Sequence, residues 1–178
     1  MLKSFTVENI KELEQLEQKL YESMDKSLAQ ISAEITSSTS KTLFSKMKFG
    51  GIGFDPLDSN RGLNLIEQIN QSFTYLASFY ALEILFTEYP ELAPFKLNLG
   101  TTAGSDIESE CGGLAAEVFA AVAPTSNQKL KKDISKVLET NARLKFVFFM
   151  CPNFELGRQP KLEREGVTVW ALKGANLL

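Results

Sequence analysis

The stretch Leu97 to Val122, LNLGTTAGSDIESECGGLAAEVFAAV, constrains the fold of this chain more than any other. Just upstream, FKLNL at 95–99 alternates apolar and polar residues as a half-buried strand does. GTTAG at 100–104 reads as a turn, residues 105–109 as a short strand, and Cys111-Gly112-Gly113 as a second, tighter turn. Residues 114–122 are then apolar on both faces of a strand except at Glu117, the pattern of a strand covered on both sides. The Gly-Gly before this segment and Pro124 after it limit it to strand length, with a short helix as the competing reading. Burying a carboxylate in LAAEVFAAV costs several kcal/mol unless it is paired, metal-bound or protonated. Glu117 is therefore the residue that most demands an explanation.

The segments around this hairpin supply helices. Residues 63–88 carry a broad apolar surface at helical spacing, with Glu67, Asn70, Gln71 and Thr74 as a polar stripe. Tyr89-Pro90 stops that helix. Residues 126–140 form a second helix, capped by Ser126 or Asn127, with Leu130, Ile134, Val137 and Leu138 on its apolar face. RLKFVFFM at 143–150 reads as a central strand, 153–165 as irregular, 167–172 as a last strand, and KGANLL as a frayed end. Upstream, residues 7–36 are an amphipathic helix, broken near Ser23, that either lies on its own domain or pairs with another subunit to make a homo-oligomer. SSTSKT at 37–42 ends it, and 43–62 is a loop or short hairpin. The glycines at 50, 51 and 53 lack the GxxxxGK[ST] pattern of a phosphate cradle. The expected organisation is a helical extension over residues 1–42 and an α/β core over 43–178, with helices on the faces of a mixed sheet.

Composition removes several function classes. The chain has 178 residues and no histidine, which excludes Ser-His and Cys-His nucleophile pairs and most zinc and haem sites. Two cysteines are too few for a disulfide scaffold, so a reducing, cytoplasmic setting is expected. No apolar run approaches the ~20 residues of a membrane span, so no membrane association is expected. The net charge of -3 is uneven: residues 1–90 hold 8 basic and 12 acidic side chains, residues 91–178 hold 11 and 10. The positive excess lies in Lys129, Lys131, Lys132, Lys136, Arg143 and Lys145.

The order helix, strand, strand, strand, helix, strand over residues 62–172, with Asp106 at the second strand and Glu117 in the third, resembles the restriction endonuclease-like, PD-(D/E)XK, nuclease superfamily. The resemblance implies that Asp106 and Glu117 converge on one side of the sheet and hold Mg²⁺ together with the Val118 carbonyl, with Glu67 of the first core helix as a further ligand or as a group that supports the ligands. It further implies DNA as substrate and phosphodiester hydrolysis as the reaction. The chain departs from the family at Phe119, which stands where the family has its lysine. Either that lysine has moved, to Lys129 or Lys132 on the following helix, or the fold is catalytically silent and serves as a DNA- or protein-binding or assembly module. Glu108 and Glu110 read as turn charges.

Overall fold

The computed structural model describes residues 3–174, so the end of KGANLL (175–178) lies outside the described residues. The chain divides into two compact units, residues 14–73 and residues 1–13 with 74–178. The boundary expected between 42 and 43 falls instead inside a helix, Ser40–Phe49.

The larger unit is built on a seven-stranded sheet. Its strands are β1 (Lys3–Val7), β4 (Phe95–Leu99), β5 (Ile107–Ser109), β6 (Leu114–Ala120), β7 (Leu144–Met150), β8 (Gly157–Arg158) and β9 (Thr168–Ala171). They lie in the order β1-β4-β5-β6-β7-β9-β8. β1, β4, β5 and β6 pair antiparallel in succession, β6-β7 and β7-β9 pair parallel, and β8 closes antiparallel on β9. The sheet is thus mixed. Between β6 and β7 runs α4 (Lys129–Leu138), the crossover that a parallel pair requires. Helix, three strands, helix and strand follow one another as the sequence suggested, the first helix being α3 (Leu65–Glu88).

The two faces of the sheet differ. One carries Leu97, Ile107, Leu114, Ala116, Val118, Phe146 and Phe148, all buried. Phe86 at the end of α3 meets Phe95 edge-on, and Tyr89 meets Phe146 in the same way. On the other face, α4 packs Ile134 and Val137 onto Ala115, Phe119, Val147 and Phe149. Glu117 shares that second face, because side chains alternate along β6. The β1, β4 and β5 side of the same face is polar, with Ser4, Thr6, Lys96, Asn98, Asp106 and Glu108. A cleft of about 430 Å³ opens there, lined by Thr6, Lys96, Glu108, Ala115 and Asn141.

Residues 3–7 were expected to lead into a helix, yet they form the strand β1, paired from Lys3↔Leu99 to Val7↔Phe95. Lys-Ser-Phe-Thr-Val alternates as an edge strand should, with Val7 inward and Thr6 outward. α1 (Ile10–Ile35) is continuous, without the break expected near Ser23. Ser23 Oγ donates instead to the Asp55 carbonyl at 2.8 Å, and Ser27 Oγ to Gln68 Oε1 at 2.5 Å, so these hydroxyls are satisfied without bending the helix. Leu13, Leu16 and Leu20 are buried within the chain, whereas Leu28 and Ile35 stay exposed.

In the 14–73 unit, SSTSKT does not simply end a helix. Thr39 caps α2 (Ser40–Phe49), accepting the Thr42 N–H at 3.3 Å. The hairpin expected within 43–62 is present as β2 (Phe54–Asp55) and β3 (Asp58–Gly62). Gly53 has φ +120°, and a Cβ there would sit 2.6 Å from the Leu63 carbonyl oxygen, so glycine is required at that crossing. Thr39→Ala should cost about 1 kcal/mol of local helix stability. It should appear as faster amide exchange across 40–49, and unchanged exchange there would refute the cap.

The start of α4 also differs from expectation. Neither Ser126 nor Asn127 caps it. A 3-10 turn covers Ser126–Gln128, and the N-cap Gln128 makes no side-chain capping bond. Asn127 and Gln128 both take left-handed backbone angles, φ 52° and 57°. Two such residues in succession turn the chain sharply. The Leu130 N–H then closes on the Pro124 carbonyl at 3.2 Å.

Candidate functional site

The β5-β6 register pairs Ile107 with Ala116 and Glu108 with Ala115. Continued by one residue, it sets Asp106 directly opposite Glu117, on the face that α4 covers. Side chains so paired have Cβ atoms about 4.5–5.5 Å apart. Asp106 Oδ2 accepts the Val118 N–H at 2.7 Å, which locks its carboxylate against β6. The contact Val118 makes with the site is through this N–H, whereas a carbonyl ligand was expected.

α4 brings cations to the same point. Lys136 Nζ donates to Glu117 Oε2 at 2.7 Å; the Glu117 side chain is 2% exposed and that of Lys136 50%. About two turns back, Lys129 Nζ donates to Asp133 Oδ1 at 2.8 Å and lies 5.8 Å from the centre of the Phe119 ring. Phe119 therefore has a lysine from the helix beside its ring. Lys129, Asp133 and Lys136 follow one another at i, i+4 and i+7, on one edge of the helix. Lys132 falls about 40° further round, at 100° per residue, and is exposed. It does not share the Lys129 and Lys136 contacts.

The electrostatics are those of crowded acids. Burial raises the pKa of Glu117, the charge of Asp106 raises it further, and Lys136 opposes both; the result is about 7. Burial likewise raises Asp106, against the pull of the Val118 N–H, and raises Asp133, against Lys129. Burial works against the Lys136 ammonium, but its bond to Glu117 and the surrounding acids outweigh this and raise its pKa. Glu117 Oε1 and Asp133 Oδ2 are both buried without a hydrogen-bond partner. Leaving two carboxylate oxygens buried and unsatisfied is costly.

Among the described residues no group of three or more His, Cys, Asp or Glu side chains is placed to hold a metal ion. The Asp106 and Glu117 pair still suits Mg²⁺, which is commonly held by one or two carboxylates together with water and substrate phosphate. Glu67 lies in the 14–73 unit, exposed in the first turn of α3, where its N–H donates to Asn64 Oδ1 at 2.9 Å. Glu108 Oε1 accepts the Ser105 N–H at 3.0 Å and ties down the GTTAG loop, in keeping with a turn role. Cys111 is exposed and Cys151 buried, both as free thiols, and burial lifts Cys151 to about 11.

Lys136 and Asp133 were not singled out as site residues from the sequence. Their signal was present in the i, i+4, i+7 spacing of Lys129, Asp133 and Lys136. No described helix is long and apolar enough to cross a membrane. No family model, no curated protein and no solved structure matches this chain.

Proposed function

We propose that this chain is a Mg²⁺-dependent nuclease of the restriction endonuclease-like type that hydrolyses DNA phosphodiester bonds, with Lys136 in the role of the lysine that Phe119 displaces. The observation that carries this reading is the meeting of Asp106, Glu117 and Lys136, from two strands and the crossover helix, at one buried point of the sheet. The element order and the antiparallel-then-parallel pairing of β4 to β7 support the same fold.

Asp106 and Glu117 would hold the metal, which when bound polarises the phosphate and lowers the pKa of water. Val118 fixes the orientation of Asp106. Lys136, half exposed, can move its amine from Glu117 toward an attacking water or a phosphate oxygen while its stem stays on α4. Lys129, held by Asp133, offers a second cation at the N-terminal end of the same helix, where anions are favoured.

A second reading, a silent member of the fold that binds or assembles, draws on the closed Lys136–Glu117 ion pair, which satisfies one Glu117 oxygen without any metal. Nicking of supercoiled DNA with Mg²⁺ or Mn²⁺ separates the two. Asp106→Asn and Glu117→Ala should each lower the rate by about 100-fold or more. Equal activity in wild type and Glu117→Ala would mean a contaminating nuclease and would overturn the catalytic reading.

A further inference from the structure

α2 is a ten-residue helix without one buried residue. Its exposed face interleaves cations and aromatics. Lys41, Phe44 and Lys48 fall within about 60° of one another around the axis, and Phe49 closes the C-terminal end. Phe44 is 70% exposed and Phe49 82%. A single exposed apolar side chain means little, but two phenylalanines alternating with lysines on one short helix form a defined surface.

The charge pattern is equally marked. Residues 36–54 hold Lys41, Lys46 and Lys48 and no acid, in a chain of net charge -3. Lys46 is engaged by Glu34 at 2.6 Å on the inner side, where Leu43 and Met47 are half-buried. Lys41 and Lys48 have no ion pair and no hydrogen bond among the described residues. Phe49 also lines a cleft of about 420 Å³, together with Phe54, Gly50, Gly51 and Gly53. Glu67 is the acid in its lining, with Gln30 and Asn64 as neutral polar groups.

We infer that the outer face of α2 is a docking surface for single-stranded nucleic acid, with unpaired bases on Phe44 and Phe49 and backbone phosphates at Lys41 and Lys48. Positive charge alternating with aromatic rings is the arrangement that holds unpaired strands, because every base has a face to stack and every nucleotide a phosphate. A duplex hides its base faces and would leave both rings in water. A membrane-surface helix segregates its apolar residues from its cations; here Lys41 and Lys48 lie between the two rings around the axis, Phe44 about 60° to one side of Lys41 and Phe49 about 80° to the other, and Leu43 and Met47 turn inward. The surface lies wholly within the 14–73 unit and is independent of the Asp106–Glu117 chemistry.

The test is fluorescence anisotropy of a labelled oligothymidylate with the full chain in EDTA, in a Glu117→Ala background so that cleavage plays no part. Competition is by duplex DNA, and by vesicles of phosphatidylcholine with phosphatidylserine. The double variant Phe44→Ala/Phe49→Ala should weaken oligonucleotide binding at least about 10-fold. Lys41→Gln/Lys48→Gln should weaken it and lower the slope of log affinity against log salt by about 1.4. Both pairs are exposed, so circular dichroism should match the parent chain. The inference is overturned if the parent chain fails to bind the oligonucleotide, or if both double variants bind it equally well. It is also overturned if duplex competes as well as single strand, or if the substitutions abolish vesicle binding alone. Because no metal is present, cleavage can fail while this surface stands, and the reverse.

Discussion

Glu117→Gln should make the protein more stable at pH 8 by about 3 kcal/mol while removing metal-dependent cleavage. The sign follows from the direction of the shift. The pKa of Glu117 rises from 4.5 to about 7 in the fold, chiefly through burial and then through the charge of Asp106. Below about pH 4.5 the residue is protonated folded and unfolded alike and contributes nothing to the pH dependence. Between about 4.5 and 7 the unfolded chain releases its proton and the folded chain keeps it, so stability falls as pH rises. Above about 7 the loss is complete, and at about 1.4 kcal/mol per pKa unit it reaches the stated size. Glutamine does not titrate and can still accept from Lys136. Urea unfolding at pH 5 and pH 8 is the measurement. Wild type should lose stability relative to the variant across this range, and coincident midpoints at pH 8 would refute the cost assigned to the buried carboxylate.

On the proposed nuclease reading, Lys136→Met should reduce cleavage by about 100-fold, with the loss lying in kcat, because it removes the amine paired with Glu117. Its effect on stability should be smaller, about 1 kcal/mol, since half of the Lys136 side chain is in water and Glu117 can take up a proton in answer. The pH window is specific. Below about pH 7 Glu117 is neutral in the fold and the ion pair is absent, so variant and wild type should unfold alike. The deficit should open above pH 7, where Glu117 ionises. It should persist until Lys136, raised above its usual 10.5, loses its own proton. In a Glu117→Gln background the same substitution should cost less at pH 8, since only the neutral hydrogen bond and the more distant Asp106 and Asp133 remain as partners of Lys136. A deficit that is constant from pH 5 to 9 would mean that Lys136 contributes through packing and not through charge. Lys136→Arg should keep the ion pair and test whether catalysis needs the smaller ammonium.

The sheet centre was legible because its signals were local. Leu114–Ala120 and Leu144–Met150 are apolar runs closed by glycine or proline, and such stops favour a strand over the short helix that the alanines of the first run also allow. Glu117 stood out because nothing else in its run is polar. The N-terminal strand was not legible, because Lys3–Val7 is short and its partner Phe95–Leu99 is remote in sequence. The start of α4 was misread because two consecutive left-handed residues, Asn127 and Gln128, have no strong composition signal. The helix phase, and not the nearness of a lysine in sequence, decides which amine reaches Glu117, and it selects Lys136 over Lys132. α2 was hidden within a serine, threonine and lysine run, since a helix that buries nothing leaves no apolar stripe to detect.

β1 ties the integrity of the sheet to residues far from its centre in sequence. Lys3–Val7 supplies the hydrogen-bonding partner for one whole side of β4, so deleting residues 1–42 would leave that side bare along Phe95–Leu99. An open sheet edge of this kind is a template for intermolecular pairing, and aggregation is its usual outcome. During synthesis the strand Lys3–Val7 must likewise wait until Leu99 has emerged before it finds its place. The sheet is therefore finished by some of its earliest-made residues, late and over a long loop, which is the slow class of folding contact.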